Sequence, residues 1–249
     1  MKIVISNNYQ GSKDKILQLI KNFNRKGMHV NDGKRNSIKV FDLIGIKINI
    51  KSFKIPNAIN KLVYRFLRKS KAERSFSYAQ TLISKKIGTP LPIAYAENNS
   101  SVLFNESYYI SEHLEYDLTY RELVTNPEFE DHEQILRAFT RFTYKLHENQ
   151  IEFLDHSPGN TLIQIKENAY DFFLVDLNRM NFKQMNFDDR MKNFSRLTPK
   201  KEMVEVMANE YSKFIEKDSS EVFEKMWFYT KKFQENHLRK KRLKKKLKL

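Results

Sequence analysis

The chain contains no cysteine, which excludes disulfides and thiolate-bound zinc and fits a reducing compartment. No apolar run comes near the ~20 residues that a helix needs to cross a bilayer. The opening Met1-Lys2-Ile3-Val4-Ile5-Ser6 meets polar Asn7-Asn8 too soon for a secretory signal, so a cytoplasmic location is expected. An aromatic RNP-like pattern and a zinc finger are both missing, which argues against a nucleic-acid module. There is no internal repeat, and no low-complexity linker before the C-terminal end.

What is present suffices for a folded body. The 249 residues are 40% hydrophobic and 13% aromatic, so a sizeable core can form, in one large domain or in two small lobes. The formal net charge is +15, with eight basic residues between Arg239 and Lys248. Such an excess calls for an anionic partner: nucleic acid, anionic lipid or a phosphorylated glycan.

Periodicity gives the order of elements. A helix is predicted over Asp14–Phe23, and short strands over Met28–Val30 and Ser37–Phe41. Asp42–Gly45 reads as a turn. Ile46–Phe53 alternates, with Ile46, Ile48 and Ile50 on one face and Lys47, Asn49 and Lys51 on the other, until Pro56 ends it. Ile59–Lys71 reads as a basic helical stretch and Ser70–Ile83 as a helix broken at Gly88-Thr89-Pro90. Strands are predicted at Ile93–Glu97, Ser101–Phe104 and Ser107–Ile110. A helix over Ile135–His147 carries Leu136, Phe139, Phe142, Thr143 and Leu146 on one stripe. Leu162–Ile165 and Phe172–Val175 form a hairpin, and helices follow at about Lys201–Ile215 and Val222–Asn236. A strand-rich first half before a helix-rich second half favours a bilobal α+β fold over a doubly wound one.

The chemistry concentrates in Leu154-Asp155-His156-Ser157-Pro158-Gly159-Asn160, followed by Val175-Asp176. An Asp and an Asn stand five positions apart, and a second Asp follows sixteen residues later. Phosphoryl transfer from a nucleotide needs such a set: one carboxylate for the attacking hydroxyl, an amide oxygen and a second carboxylate for the cations on the phosphates. The order D-x-x-x-x-N, short hairpin, Asp is that of kinase-like catalytic cores. Each residue also has a plainer reading. Asp155 could stabilise the turn at Ser157-Pro158-Gly159, Asn160 could be a turn residue, and Asp176 could simply end a strand.

Further segments stand in a matching order: Ile48-Asn49-Ile50-Lys51-Ser52-Phe53; Ser70-Lys71-Ala72-Glu73-Arg74; Ile87-Gly88-Thr89-Pro90-Leu91-Pro92-Ile93-Ala94-Tyr95; and Val175-Asp176-Leu177-Asn178-Arg179. With these, the chain resembles the lipopolysaccharide kinases, the Kdo/heptose kinase group of the protein-kinase-like fold, over roughly Gly27 to Phe182. The resemblance implies a strand-rich N-lobe over 1–112, a helix-rich C-lobe over 113–236 and a basic tail over 237–249. It implies ATP and Mg2+ as cofactors, and phosphorylation of a Kdo or heptose hydroxyl on a lipid-linked acidic sugar, a lipopolysaccharide precursor. Asp155 then matches the catalytic base, and Asn160 and Asp176 the metal ligands. Lys51 matches the strand lysine that meets the α- and β-phosphates, with Lys47 and Lys54 as rivals. Glu73 is the candidate to orient Lys51. Gly33, the only glycine of the nucleotide-covering loop, would lie near phosphate together with Lys34 or Arg35. Glu112, His113 and Leu114 fall at the adenine-reading hinge.

The sequence departs from that pattern in three places. Phe153 stands where the family has a histidine, the triplet Asp176-Leu177-Asn178 lacks the usual glycine, and the covering loop lacks G-x-G-x-x-G. His156 is read either as a residue touching substrate phosphate or as a surface histidine. The tail Leu238–Leu249 is read either as a cationic helix with a narrow leucine edge, able to sit on an anionic membrane surface, or as a solvated segment. Two alternatives to a lipopolysaccharide kinase remain: a kinase-like enzyme with an aminoglycoside or protein acceptor, and an inactive kinase-like module that binds anionic membrane or nucleic acid.

Overall fold

A computed structural model describes residues 1–31, 36–54, 68–99, 104–167 and 169–246. The chain divides into two units, one of Met1–Glu115 with Asp176–Asn178, the other of Tyr116–Val175 with Arg179–Leu249.

The first unit is built on strands. β1 (Lys2–Ile5), a 3-10 turn (Asn7–Ser12) and α1 (Lys13–Lys21) lead into β2 (Met28–Asn31), β3 (Asn36–Leu43) and β4 (Ile46–Phe53). α2 (Lys71–Ser84), β5 (Pro92–Asn99) and β6 (Phe104–Glu112) follow. The six strands form one sheet in the order β1-β5-β6-β4-β3-β2, with every neighbouring pair antiparallel. Leu43 pairs with Ile46, so Ile44-Gly45 is a two-residue hairpin turn, and both have positive φ (54° and 80°). That backbone suits the twist of the strands, and glycine adopts it without strain. Asp42 closes the turn by accepting the Gly45 N–H at 3.2 Å.

Alternation along β4 decides what each face of the sheet meets. Ile48 and Ile50 are wholly buried in a cluster with Ile16 and Ile20 of α1 and with Ile93 and Ile110. Each such isoleucine contributes about 2 kcal/mol. Lys51 and Phe53 point to the opposite face, where Phe53 packs with Ala72 and Phe76 of α2 and with Tyr95. α2 begins where Ser70 accepts the Glu73 N–H at 3.0 Å, an ordinary N-cap. Most of the expected stretch Ile59–Lys71, all of 101–103, and Gly33 with Asp32, Lys34 and Arg35 lie outside the described residues.

The second unit is mainly helical. It runs through β7 (Leu118–Thr119), α3 (Tyr120–Thr125), α4 (His132–Glu148), β8 (Ile151–Phe153), a 3-10 turn (Pro158–Asn160), β9 (Thr161–Lys166) and β10 (Ala169–Leu174). After β11 (Met180–Phe182) come α5 (Phe187–Asn193), α6 (Lys201–Ser212) and α7 (Ser219–Lys246). The strands form a sheet β10-β9-β7 and a pair β11-β8. The predicted stripe of α4 is its buried face. Leu136 and Phe139 pack with Met203, Val204, Met207 and Tyr211 of α6 and with Val222 and Met226 of α7. Glu210 of α6, nearly buried, fastens α6 to α4 through Arg137 at 3.2 Å and Arg141 at 2.5 Å. Lys213 also pairs with it, and these cations hold its pKa below the usual carboxylate value against the effect of burial.

α7 is longer than the sequence reading, which stopped its helix at Asn236 and left helix and solvated tail as alternatives beyond. It continues as one helix to Lys246. Val222, Met226 and Thr230 are buried at a four-residue spacing, and every residue from Glu235 to Lys246 is exposed. Of the leucines of the expected narrow edge, Leu247 lies outside the described residues. Leu238 and Leu243 are five positions apart, about 140° around a helix, and are 51% and 49% exposed.

Candidate active site

In the first unit, Lys51 meets Asp176. Its Nζ lies 2.7 Å from Asp176 Oδ1, with the two side chains 12% and 30% exposed. The ammonium also lies 5.3 Å from the centre of the Phe53 ring, a neighbour two positions along the same strand face. The rivals do not share this setting. Lys47 is well exposed and pairs with Glu115 at 2.9 Å, and Lys54 is exposed past the end of β4.

Asp176 has a left-handed backbone, φ 57°, which Asp tolerates better than most residues. Its Oδ1 also accepts a hydrogen bond from Asn178 Nδ2 at 2.6 Å. Asn178 stands where a glycine was expected, and it gives the segment a fastening that glycine could not supply. The Glu73 carboxylate is not the partner of Lys51. It lies 3.4 Å from Lys69, four positions earlier and just before the Ser70 cap, while the Lys51 ammonium is taken up by Asp176.

The three hinge candidates follow β6 or end it. The Glu112 N–H donates to the Leu91 carbonyl at 2.9 Å, and its carboxylate accepts a hydrogen bond from the Tyr9 hydroxyl. Burial, and then that carboxylate, push the Tyr9 pKa up to about 12. The His113 N–H donates to the Lys47 carbonyl at 2.9 Å, and its Nδ1 lies 3.0 Å from Asn49 Oδ1. Leu114 is half-buried.

In the second unit, the run 154–160 joins β8 to β9 and is tied at almost every residue. The Leu154 N–H donates to Arg179 O at 3.2 Å, and the Asn160 N–H to Ser157 O at 2.9 Å. The Asn160 amide nitrogen donates to the Asp155 carbonyl at 2.8 Å, which closes the D-x-x-x-x-N segment on itself. The Asn160 carbonyl accepts from the N–H of Val175, the residue before Asp176, at 3.0 Å. Arg196 donates to the Leu154 carbonyl at 2.9 Å and pairs with Asp155 Oδ1 at 2.7 Å. The guanidinium itself lies 5.6 Å from the Phe233 ring of α7.

His156 corrects both of its sequence readings. It is neither a phosphate contact nor a surface residue but is buried against Phe139 and Phe153, at ring distances of 5.4 and 5.8 Å. Neither ring nitrogen has a hydrogen-bond partner of ordinary geometry. Burial lowers its pKa to about 4, with the nearby Asn193 amide acting weakly the other way. Phe153, at the position of the family's histidine, is itself wholly buried. Below the loop, His147 accepts from the Tyr211 hydroxyl (2.8 Å) and donates to Asn193 Oδ1 (3.2 Å), while Asn193 Nδ2 donates to the Phe153 carbonyl at 2.9 Å. Asn178, Asn193 and Arg196 all escaped the sequence reading. Asn178 was visible inside a motif, but nothing in the sequence ties Arg196 to a residue 41 positions earlier.

The donor set can be tested against a divalent cation. In the second unit the Asn160 amide nitrogen is engaged and its Oδ1 is the other polar atom of the amide; in the first, Asp176 carries a carboxylate. Among the described residues no group of three or more His, Cys, Asp or Glu could hold a metal. Asn160 Oδ1 and the Asp176 carboxylate are each an oxygen donor of the kind that magnesium takes, and neither is the thiolate or imidazole of a structural zinc site.

A family model described as the lipopolysaccharide kinase (Kdo/WaaP) family matches residues 54–225, well over half of the chain. The chain belongs to this family. As a lipopolysaccharide kinase family member it is a phosphotransferase by descent. The matched stretch includes Glu73, Glu112, His113, Leu114, Asp155, Asn160 and Asp176, and begins after Gly33 and Lys51. A solved structure described as "WaaP in complex with acyl carrier protein" aligns with a TM-score of 0.64 at 12% identity, covering 93% of this chain and 99% of that one. At that identity the likeness shows the fold, a kinase-like α+β arrangement as the sequence predicts. No curated protein matches the chain by sequence.

Proposed function

We propose that this family member transfers the γ-phosphoryl group of ATP to a hydroxyl of Kdo or heptose on a lipid-linked lipopolysaccharide precursor. The observation that carries the reading is the 2.7 Å pair of Lys51 with Asp176, two residues 125 positions apart that a kinase-type site requires near one nucleotide. Residues 1–112, with the hinge as far as Leu114 and with Asn160 and Asp176, then serve the nucleotide, and the rest of 113–236 serves the acceptor. Lys51 exchanges the Asp176 carboxylate for the α- and β-phosphates, where a point charge on a rigid strand holds them in place. The Glu112 and His113 N–H groups are already engaged, so adenine reads the Leu114 peptide and the hinge carbonyls. Asn160 Oδ1 and the Asp176 carboxylate hold Mg2+, which when bound neutralises charge on the phosphates.

Asp155 accepts the proton of the attacking hydroxyl. The sugar oxygen bonds to the γ-phosphorus, the bond from that phosphorus to the β–γ bridging oxygen breaks, and ADP leaves with the electron pair. Arg196, 2.7 Å from Asp155 Oδ1, keeps the carboxylate aimed.

The exposed cationic end of α7 brings the enzyme to an anionic membrane surface on the cytoplasmic side. With eight basic residues between Arg239 and Lys248, that attraction is chiefly electrostatic. The same face would also suit an acidic protein, and the WaaP structure is of a complex with acyl carrier protein. Transfer of labelled phosphate from ATP to Kdo–lipid A, and separately to a heptose-bearing acceptor, tests the reading. Wild-type transfer that Asp155→Asn abolishes supports it, and equal transfer by both proteins overturns the base assignment. ATP binding without transfer to either acceptor overturns the acceptor class. No ATP binding leaves the inactive module as the reading.

A further inference from the structure

Gly159 sits inside the Asp155–Asn160 run, and Arg121 rests against it. A Cβ built on Gly159 would stand 2.6 Å from Arg121 Nη2 and 3.5 Å from its Cζ, so the guanidinium touches the loop backbone itself. Any side chain at 159 would push it away. The helix that carries Arg121 is firmly seated: Tyr120 and Leu123 of α3 are wholly buried. Thr119 Oγ1 accepts the Arg121 N–H at 3.2 Å, and the Glu122 carboxylate turns back to the Thr119 N–H at 2.9 Å and hydroxyl at 2.6 Å. The nearest acid in sequence is thus engaged in the cap. Among the described residues the exposed Arg121 guanidinium makes no ion pair within 4 Å and no side-chain hydrogen bond, and its charge acts only weakly on the capped Glu122 carboxylate. Arg196, at the other end of the loop, is already committed to Asp155 and Leu154.

We propose that Arg121 is a specificity-determining residue that binds an oxyanion of the acceptor, a carboxylate or phosphate near the hydroxyl to be phosphorylated. The proposal rests on the kinase reading above and adds the charge of the acceptor. A planar guanidinium, charged at every working pH, suits bidentate binding of such a group. Nucleotide phosphate already has its cation in Lys51, on the unit that carries the hinge. Arg121 belongs with the base and the loop, and therefore with the acceptor. Its contact with Gly159 fixes where the anion sits relative to Asp155.

The test uses the full chain with ATP and three soluble acceptors: a Kdo glycoside, its methyl ester and a heptose phosphate. Arg121→Gln is expected to raise KM for an anionic acceptor about 10- to 100-fold, the scale of one charge-assisted contact. KM for ATP and kcat should stay within about twofold. The ester should be insensitive to the substitution, and Arg121→Lys should restore only part of the affinity. Gly159→Ala, which displaces the guanidinium without removing it, should raise KM for the same acceptor. Comparison of the Kdo glycoside with the heptose phosphate tells carboxylate from phosphate. An equal rise in KM for ATP would assign Arg121 to the nucleotide and overturn the proposal, as would unchanged acceptor KM in Arg121→Gln. If the wild type transfers nothing, the acceptor reading fails. The proposal is then decided by equilibrium binding of the same three compounds to the Asp155→Asn protein: binding that needs Arg121 upholds it, and binding that does not, or none, ends it.

Discussion

Lys51 and Asp176 form an ion pair at 2.7 Å although 125 residues separate them, and the lysine reaches it from the face of β4 opposite the buried Ile48 and Ile50. The strand alternation turns one face into core and leaves Lys51 on the other, so burying the isoleucines and aiming the lysine are one structural fact. The pair also gives Lys51 a counter-charge where Glu73 was expected to supply one.

Replacing Lys51 by Ala should weaken ATP binding about 10- to 100-fold, the loss of one charge-assisted contact in a partly buried setting. Glu73→Ala should change it far less, since that carboxylate lies on Lys69. Nucleotide titration of both variants measures the contrast, and an equal loss in the two would return Glu73 to the site.

Asn178→Gly restores the residue type that the family pattern leads one to expect, and here it should do harm. It removes the 2.6 Å bond to Asp176 from a nearly buried side chain. A cost of about 1–2 kcal/mol is expected, read as a fall in Tm of roughly 2–8 °C for a chain of this size. Phosphate transfer should fall as well. A variant as stable and active as wild type would mean that the contact is incidental.

Two buried histidines make the fold sensitive to acid. Burial lowers the pKa of His147 to about 3 and of His156 to about 4, both below the ordinary 6.5. The unfolded chain therefore takes up protons first as pH falls. The contribution of these two groups to stability is complete above pH ~6.5 and should decline between there and the folded values, on the order of 3 kcal/mol for each group. Urea midpoints at pH 7, 5.5 and 4.5 should fall in that order. His156→Phe, which keeps an aromatic ring among Phe139 and Phe153, should flatten the decline, and an unchanged slope would remove His156 from the account.

Deleting Arg239–Leu249 should weaken sedimentation with anionic vesicles and spare transfer to a soluble sugar acceptor. Each basic residue near such a surface contributes on the order of 1 kcal/mol. Because the segment carries eight basic residues, the binding of the intact chain should disappear in high salt. Binding that survives salt would show apolar insertion instead.

Much of the architecture was open to reading from local pattern. The alternation over Ile46–Phe53 and the stripe over Ile135–His147 correspond to β4 and α4 because burial on one face imposes a period of two on a strand and 3.6 on a helix. Short elements were missed. β7 and β8 have two and three residues, too few to show a period, and their places come from pairing with β9 and β11. The end of α7 was left open because a run of lysines carries no apolar signal in either state.

By itself the sequence determined the chemical inventory: Asp155, Asn160, Asp176 and Lys51, at spacings set by a loop, a hairpin and a strand. Covalent order keeps such spacings legible, since Asn160 can reach the Asp155 carbonyl only from a few residues away. Only the tertiary structure decided the partners. It placed Asp176 with Lys51, Arg196 on Asp155, Arg121 against Gly159, and His156 in the core instead of at the surface. Those pairings depend on which side chains packing brings within 3–4 Å, and sequence distance carries no information about that.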